Sequence, residues 1–206
     1  MPMQERLQHL FSVVSGQRFL NKQGLGNEVP FFICPYRPEE AVEMERLQRQ
    51  LVNRLEQAGI RILSINLYDL AVDILKERDI WEQVLELEPT VSKDQLKELL
   101  QGVVDPEAHL VPAIAAKLQS VEFDVLFLSG VGEVFPYIRS HNVLNNLQST
   151  AKDQPTVMFF PGLSGTVTFR TGTPRMSSYS SSSPVREYSR CSSQVSSETI
   201  TSILFC

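Results

Sequence analysis

Apolar and polar positions change period from block to block along the chain, and each period predicts an element. Leu7, Leu10, Phe11 and Val14 fall at helical spacing, so Arg6 to Val14 reads as a short amphipathic helix. "NKQGLGNE" breaks the chain before Val29 to Ile33, a continuous apolar run of the kind buried strands carry. Pro35 and Pro38 are expected to end that strand. Pro38 followed by Glu39 and Glu40 suits a helix start, because proline has its φ preset and the helix dipole favours acids there. The helix over Glu39 to Ala58 should turn Val42, Leu47, Leu51 and Leu55 inward, with Glu43, Glu45, Arg46, Arg49 and Arg54 wet, until Gly59 stops it.

"IRILSINLYDL" follows, with Ile60, Ile62, Leu63 and Ile65 as a second strand and a helical pattern from Asp69 through "LAVDILKERDIWEQVLELE". After Pro89, Ser92 can cap a helix through Leu100, and Asp105-Pro106 opens another through Leu118. "DVLFLSG" is the third strand, "IRSHNVLNNLQ" its following helix and "TVMFFPG" the fourth strand. Strands alternating with helices, at separations too long for hairpins, require parallel crossovers. The fold class is therefore α/β: a three-layer domain over residues 1–163 with a mainly parallel sheet. A helical insert, about residues 71–120, is too long for one crossover helix and is expected to form a small subdomain on one edge.

From residue 164 the periodicity stops. The segment 164–206 is about a third serine and is expected to be disordered. A chain of 206 residues, 42% of them apolar, can bury one substantial core. The formal charge of −5 argues against direct nucleic-acid binding, which rests on neutralising phosphates with Lys and Arg. The tail holds four of the basic and two of the acidic residues, leaving 15 basic and 22 acidic residues before it, a formal −7. The N-terminal "MPMQERLQHLFSVV" has neither a long apolar core nor a cleavage site, so no membrane anchor is expected and the protein should be cytoplasmic.

Candidate chemistry concentrates in "FLSGVGEVFPYIRSHNVLNNLQ", Phe127 to Gln148, where a strand, a glycine turn and an amphipathic helix follow one another. Gly130 and Gly132 stand where a dinucleotide fingerprint would, but the third glycine is missing and Glu133 would repel a pyrophosphate. No GxxxxGK[ST] run exists, and the glycines at 24 and 26 precede a strand instead of following one. Arg139 and His141 could serve an anion site at the helix start, or a surface for another protein; alternatively Arg139 pairs with Glu133 and His141 caps or packs locally. No GxSxG elbow is present, and Ser129 before Gly130 lacks the first glycine. Cys34, Cys191 and Cys206 form no CxxC pair, and Cys34 reads as a small buried hydrophobe. His9, His109 and His141 do not cluster, so neither metal nor cofactor is expected. Asp69 with Asp73, and Glu86 with Glu88, read as solvated helix faces. Nothing here commits the chain to a reaction, and no enzyme activity is expected.

The segments "GLGNEVPFFICPYRPEEA", "INLYDLAVDIL", "LSGVGEVFPYIRSHNVLNNLQ" and "PTVMFFPG" together resemble the BrxB family of bacterial BREX phage-defence systems, over roughly Phe19 to Gly162. The most specific part is the glycine turn with Pro136, Arg139, Ser140, His141, Leu144 and Leu147. The resemblance implies a small α/β component of a multi-protein assembly, alongside a large ATPase, an adenine methyltransferase and PglZ, a phosphatase-like protein implied as the direct partner. It supplies no catalytic residues. It implies Gly130, Gly132, Arg139 and His141 as positions of an interaction surface, with nucleotide or nucleic-acid handling at that end of the sheet as the alternative.

After the Pro161-Gly162 pair, the family pattern continues with a Tyr, a leucine-rich strand ending in Leu-Phe and a Tyr-Tyr-Arg-Ala-like segment. Here the chain gives "LSGTVTFRTGTPRMSSYSSSS". Shifted by one base, codons for Leu163 to Thr171 permit a pattern close to the missing one, so the tail is read as a frameshifted translation, with a natural Ser-rich regulatory tail as the alternative. A frameshift would remove a final strand and expose a sheet edge prone to pairing.

Overall fold

In the computed structural model of the chain, residues 2–21, 31–135, 137–138, 143, 147, 151 and 154–162 are described. Four strands, β1 (Phe31–Tyr36), β2 (Ile62–Asn66), β3 (Val125–Ser129) and β4 (Thr156–Pro161), form one parallel sheet in the order β1-β4-β3-β2. Successive side chains of a strand point to opposite faces, and the sequence uses both. Phe32, Cys34, Val125, Phe127, Val157 and Phe159 face one way, with Phe127 and Phe159 edge to face at 5.3 Å. Leu63, Ile65, Leu126, Leu128 and Met158 face the other. A sheet apolar on both faces must be covered on both, which makes three layers.

Helices α1 (Met3–Val14) and α3 (Ala41–Gln57) cover the first face through Leu7, Leu10, Met44, Leu47, Leu51 and Leu55; a short α2 (Gln17–Leu20) adds Phe19 against Phe32. The second face carries α4 (Leu67–Glu77), α5 (Trp81–Leu87), α6 (Lys93–Val103) and α7 (Val111–Ser120), the last entered through a π-helical turn, Pro106–Leu110. The chain runs from one edge (β1) to the other (β2) over the first face, then steps back through β3 to β4 over the second. Direction and face reverse together, as a single crossover hand requires.

The insert does not stand on an edge as expected. Leu70, Ile74, Val84, Leu96, Leu100 and Ile114 share one cluster with Ile65, Leu126, Leu128 and Met158, so it lies over the sheet. Two neighbouring parallel strands, β2 and β3, can only be joined across a face. The start of β2 is tied to that of β3 by Arg61, whose guanidinium donates to Asp124 at 2.9 Å and to Glu122 at 2.6 Å.

Other expectations need correction. Pro35 does not end β1 but lies inside it. The carbonyl of Tyr36 accepts from Gly162 N–H on the β4 side, so Pro35, one residue earlier, turns its missing N–H to the open edge, where proline costs no ladder bond. The Pro35 carbonyl on that edge accepts from the guanidinium of buried Arg6, which also pairs with Glu40 at 3.4 Å. Val42 is 61% exposed, and Met44 takes the inward position beside Leu47 and Leu51. The long helical pattern after β2 is broken at Asp79, whose φ of 56° ends α4 in the left-handed region that Asp tolerates better than most residues. Gly59 at φ 81° ends α3, Ser92 and Gln95 form a reciprocal cap on α6, and Asp105 caps the turn after it, all as the sequence indicates. The Ser-rich segment from 164 lies outside the described residues.

Candidate functional site

Because the strands are parallel, Tyr36, Asn66, Gly130 and Gly162 meet at one end of the sheet, the carboxyl end, where open α/β sheets bind ligands. The helix α4 starts there, at Leu67 and not at Asp69. Asn66 is its N-cap: Oδ1 accepts from the amide of Tyr68 at 2.8 Å and from that of Asp69 at 3.4 Å. The same carboxamide fills the space beside the glycine turn. A Cβ on Gly130, whose φ is +73°, would stand 2.0 Å from Asn66 Oδ1, and a Cβ on Gly132 would stand 2.7 Å from Cγ of Pro161. Both glycines thus let protein pack against protein. A dinucleotide loop uses its glycines to let pyrophosphate approach the backbone, and at Gly130 that space belongs to Asn66.

Val131 to Phe135 form turns, with Val131 and Val134 buried and Phe135 48% exposed. Of the expected helix, Val143 and Leu147 are helical, four residues apart and buried. Arg139 and His141, with Pro136, lie outside the described residues.

The electrostatics at this end are acidic. The Glu133 carboxyl is pushed above the usual carboxylate range by burial first, then by the charges of Asp69 and Glu45. The Tyr68 hydroxyl is pushed up by burial and by Glu133 and Asp69. Carboxylates from α3, α4 and the glycine turn therefore share one field, and an added phosphate would raise every one of these repulsions.

Beside the turn, α4, α5, α6 and the residues Val134, Tyr137 and Ile138 leave an apolar cleft lined also by Tyr68, Val72, Trp81 and Leu100, with about 40 Å³ of free space. Lys76 Nζ sits 5.5 Å from the Trp81 ring centre. Glu88, taken from sequence as part of a solvated face, is buried; its Oε1 has no hydrogen-bond partner, and burial raises its pKa. Its charge in turn helps push the Tyr137 hydroxyl up, after burial.

Burial pushes the Cys34 thiol up to about 11 despite the neighbouring Arg6, so it stays protonated and unreactive. Among the described residues, no three His, Cys, Asp or Glu side chains gather as a metal site, and no helix is long and apolar enough to cross a membrane. The sequence placed Gly130 and Gly132 after a strand, and they lie at the carboxyl end of the sheet; that placement pointed to none of Asn66, Tyr68 and Trp81. An Asn directly before an amphipathic run is an N-cap signal that could have found the first; the cleft needs four non-adjacent segments and has no local signal.

The BrxB family model, "BREX protein BrxB", matches residues 63–170. A relative from Bacillus cereus (strain H3081.97), "BREX protein BrxB", is 31% identical over 162 residues, spanning 77% of this chain and 83% of the relative. One of the same description from Escherichia coli O9:H4 (strain HS) is 29% identical over 160 residues, 78% of this chain and 79% of the relative. No solved structure matches. The matched region takes in β2, all four helices over the second face, the glycine turn and β4, and the chain belongs to the BrxB family of BREX proteins.

Proposed function

We propose that the protein is a non-catalytic assembly component of a BREX phage-defence complex and binds a PglZ-like partner through the carboxyl end of its sheet. Membership in the BrxB family supports the role in BREX defence. The observation that carries the rest is the closed glycine turn: Asn66 occupies the place beside Gly130 where a nucleotide fold admits phosphate, and Asp69, Glu45 and Glu133 make the surroundings acidic. A nucleotide fold without a nucleotide cradle keeps a rigid sheet end that can present a surface. Gly130 and Gly132 shape that surface, and Arg139 and His141 contribute to it. The protein works in the cytoplasm beside the other BREX components.

Co-purification of this chain with each BREX protein of its own system tests the reading, using the native chain and Arg139→Ala plus His141→Ala. A stable complex with the PglZ-like protein, weakened by the double change, is expected. Absence of a complex with any component, together with nucleotide or DNA binding by the isolated chain, would overturn it.

A further inference from the structure

The apolar cleft and the acidic groups around it belong together. Tyr68 lines the cleft and feels Asp69 and Glu133 on one side; Tyr137 lines it and feels Glu88 on the other. About 40 Å³ is far below the roughly 300–1,000 Å³ of an ordinary small-molecule site, so the cleft takes the end of one side chain and not a cofactor. An apolar, aromatic-walled socket with the carboxylates of Asp69 and Glu133 acting on its Tyr68 wall has the form of a binding hot spot, where an apolar anchor is desolvated and its flanking charges set specificity. The one cation seen at the cleft wall among the described residues is Lys76, engaged over Trp81. Phe135, the residue after the lining residue Val134, is 48% exposed.

We infer that this cleft is a docking socket for a polypeptide segment carrying one aliphatic or aromatic anchor residue flanked on both sides by arginine or lysine. The inference rests on the assembly reading for the identity of the partner, the PglZ-like protein, but the chemistry of the segment follows from the socket itself. The anchor enters between Tyr68, Trp81 and Tyr137, and flanking cations meet Asp69 and Glu133. A segment flanked by acids would be repelled from the same place.

The test uses the full chain, the PglZ-like protein of the same system, and a labelled synthetic peptide with a central leucine between arginine pairs, against a control with glutamate in place of arginine. Variants are Asp69→Asn with Glu133→Gln, which removes charge at constant shape, and Val72→Trp, which fills the socket from a partly exposed wall; thermal unfolding establishes that each is folded. Expected are salt-sensitive binding of the arginine peptide, none of the glutamate peptide, and about tenfold or greater weakening of both peptide and partner binding in either variant. A wild-type complex with the PglZ-like protein that both folded variants leave intact would overturn the socket while the assembly reading stands. Failure of the wild-type chain to bind the PglZ-like protein would remove that partner, and the peptides then decide: selective binding of the arginine peptide supports the socket, and equal or absent binding of the two overturns it.

Discussion

Gly130 connects the glycine turn to the start of α4, and substituting it separates two costs. Its φ of +73° lies in the left-handed region, where a side chain costs about 1–2 kcal/mol. A new Cβ would also stand 2.0 Å from Asn66 Oδ1 and 3.0 Å from the Leu67 nitrogen, so Gly130→Ala must drive the carboxamide off the Tyr68 and Asp69 amides it caps. Loss of an N-cap costs about 1 kcal/mol. Together these give roughly 2–3 kcal/mol of destabilisation. In urea this appears as a lower midpoint at unchanged slope, and on heating as a Tm lower by about 4–12 °C for a body of this size. Asn66→Ala alone should cost about 1 kcal/mol. In its background Gly130→Ala should cost less than in the native chain, because the oxygen it strikes is gone, with a coupling of about 1 kcal/mol. A Gly130→Ala protein within about 0.5 kcal/mol of the native one, or costs that simply add, would refute the view that the carboxamide closes the turn.

Met44→Ala should cost about 2–5 kcal/mol in urea unfolding and Val42→Ser almost nothing, since Met44 is fully buried and Val42 is 61% exposed; the reverse ranking would mean that α3 is rotated. Burial holds the Glu133 and Glu88 carboxyls above their ordinary range, so the fold binds their protons more tightly than the unfolded chain does. Stability should therefore fall as pH rises from the ordinary carboxylate range through the raised values. Glu133→Gln and Glu88→Gln should raise Tm at pH 8 and not at pH 4, and a gain that is independent of pH would contradict this. Arg6→Met should cost about 1.5–3 kcal/mol and increase aggregation, because it strips the charged donor from the Pro35 carbonyl on the open edge of β1; light scattering and urea unfolding together measure both effects. If the tail after Leu163 is a frameshifted translation, restoring the frame should improve solubility and partner binding, and equal behaviour of the two chains would remove the idea.

Three of the strands were legible because each is short, mostly apolar and followed by glycine or proline, and β2 because Ile62, Leu63 and Ile65 crowd into five residues. "DVLFLSG" and "TVMFFPG" could be placed without knowing their neighbours. Val42 was misplaced because Val42 and Met44 compete for one helical stripe, and only the direction in which α3 crosses the sheet decides between them. Pro35 was misread because a proline ends a strand only where its missing N–H faces a partner, which depends on strand order. Glu88 looked solvated because it adjoins Glu86 in a run of acids, yet the turn after α5 carries it inward. Glycine and proline spacing placed the loop after β3 at the carboxyl end of the sheet, where Gly130 lies. Its function could not be read there, since the residue that closes the turn, Asn66, is 64 positions away from Gly130 and reaches it only through the pairing of β2 with β3.

Magnitudes decide between an anion and a cation at this end of the sheet. The N-terminus of α4 favours a nearby negative charge by about 0.3–1 kcal/mol, and Asn66 already uses two of its amides. Against that, a carboxylate about 8 Å from an added negative charge costs about 2 kcal/mol at an effective dielectric near 20. After burial, the charges of Asp69 and Glu45 help push the Glu133 carboxyl up, so an added anion here meets carboxylates whose repulsion exceeds what the helix end returns. The same sum changes sign for a guanidinium: each carboxylate then attracts, and the burial that now disfavours ionised Glu133 is relieved by pairing. The parallel sheet still gathers its carboxyl ends at one place, as a nucleotide fold does, but the acidic charges around Gly130 oppose a phosphate there, which is the reason for proposing a positively charged polypeptide instead.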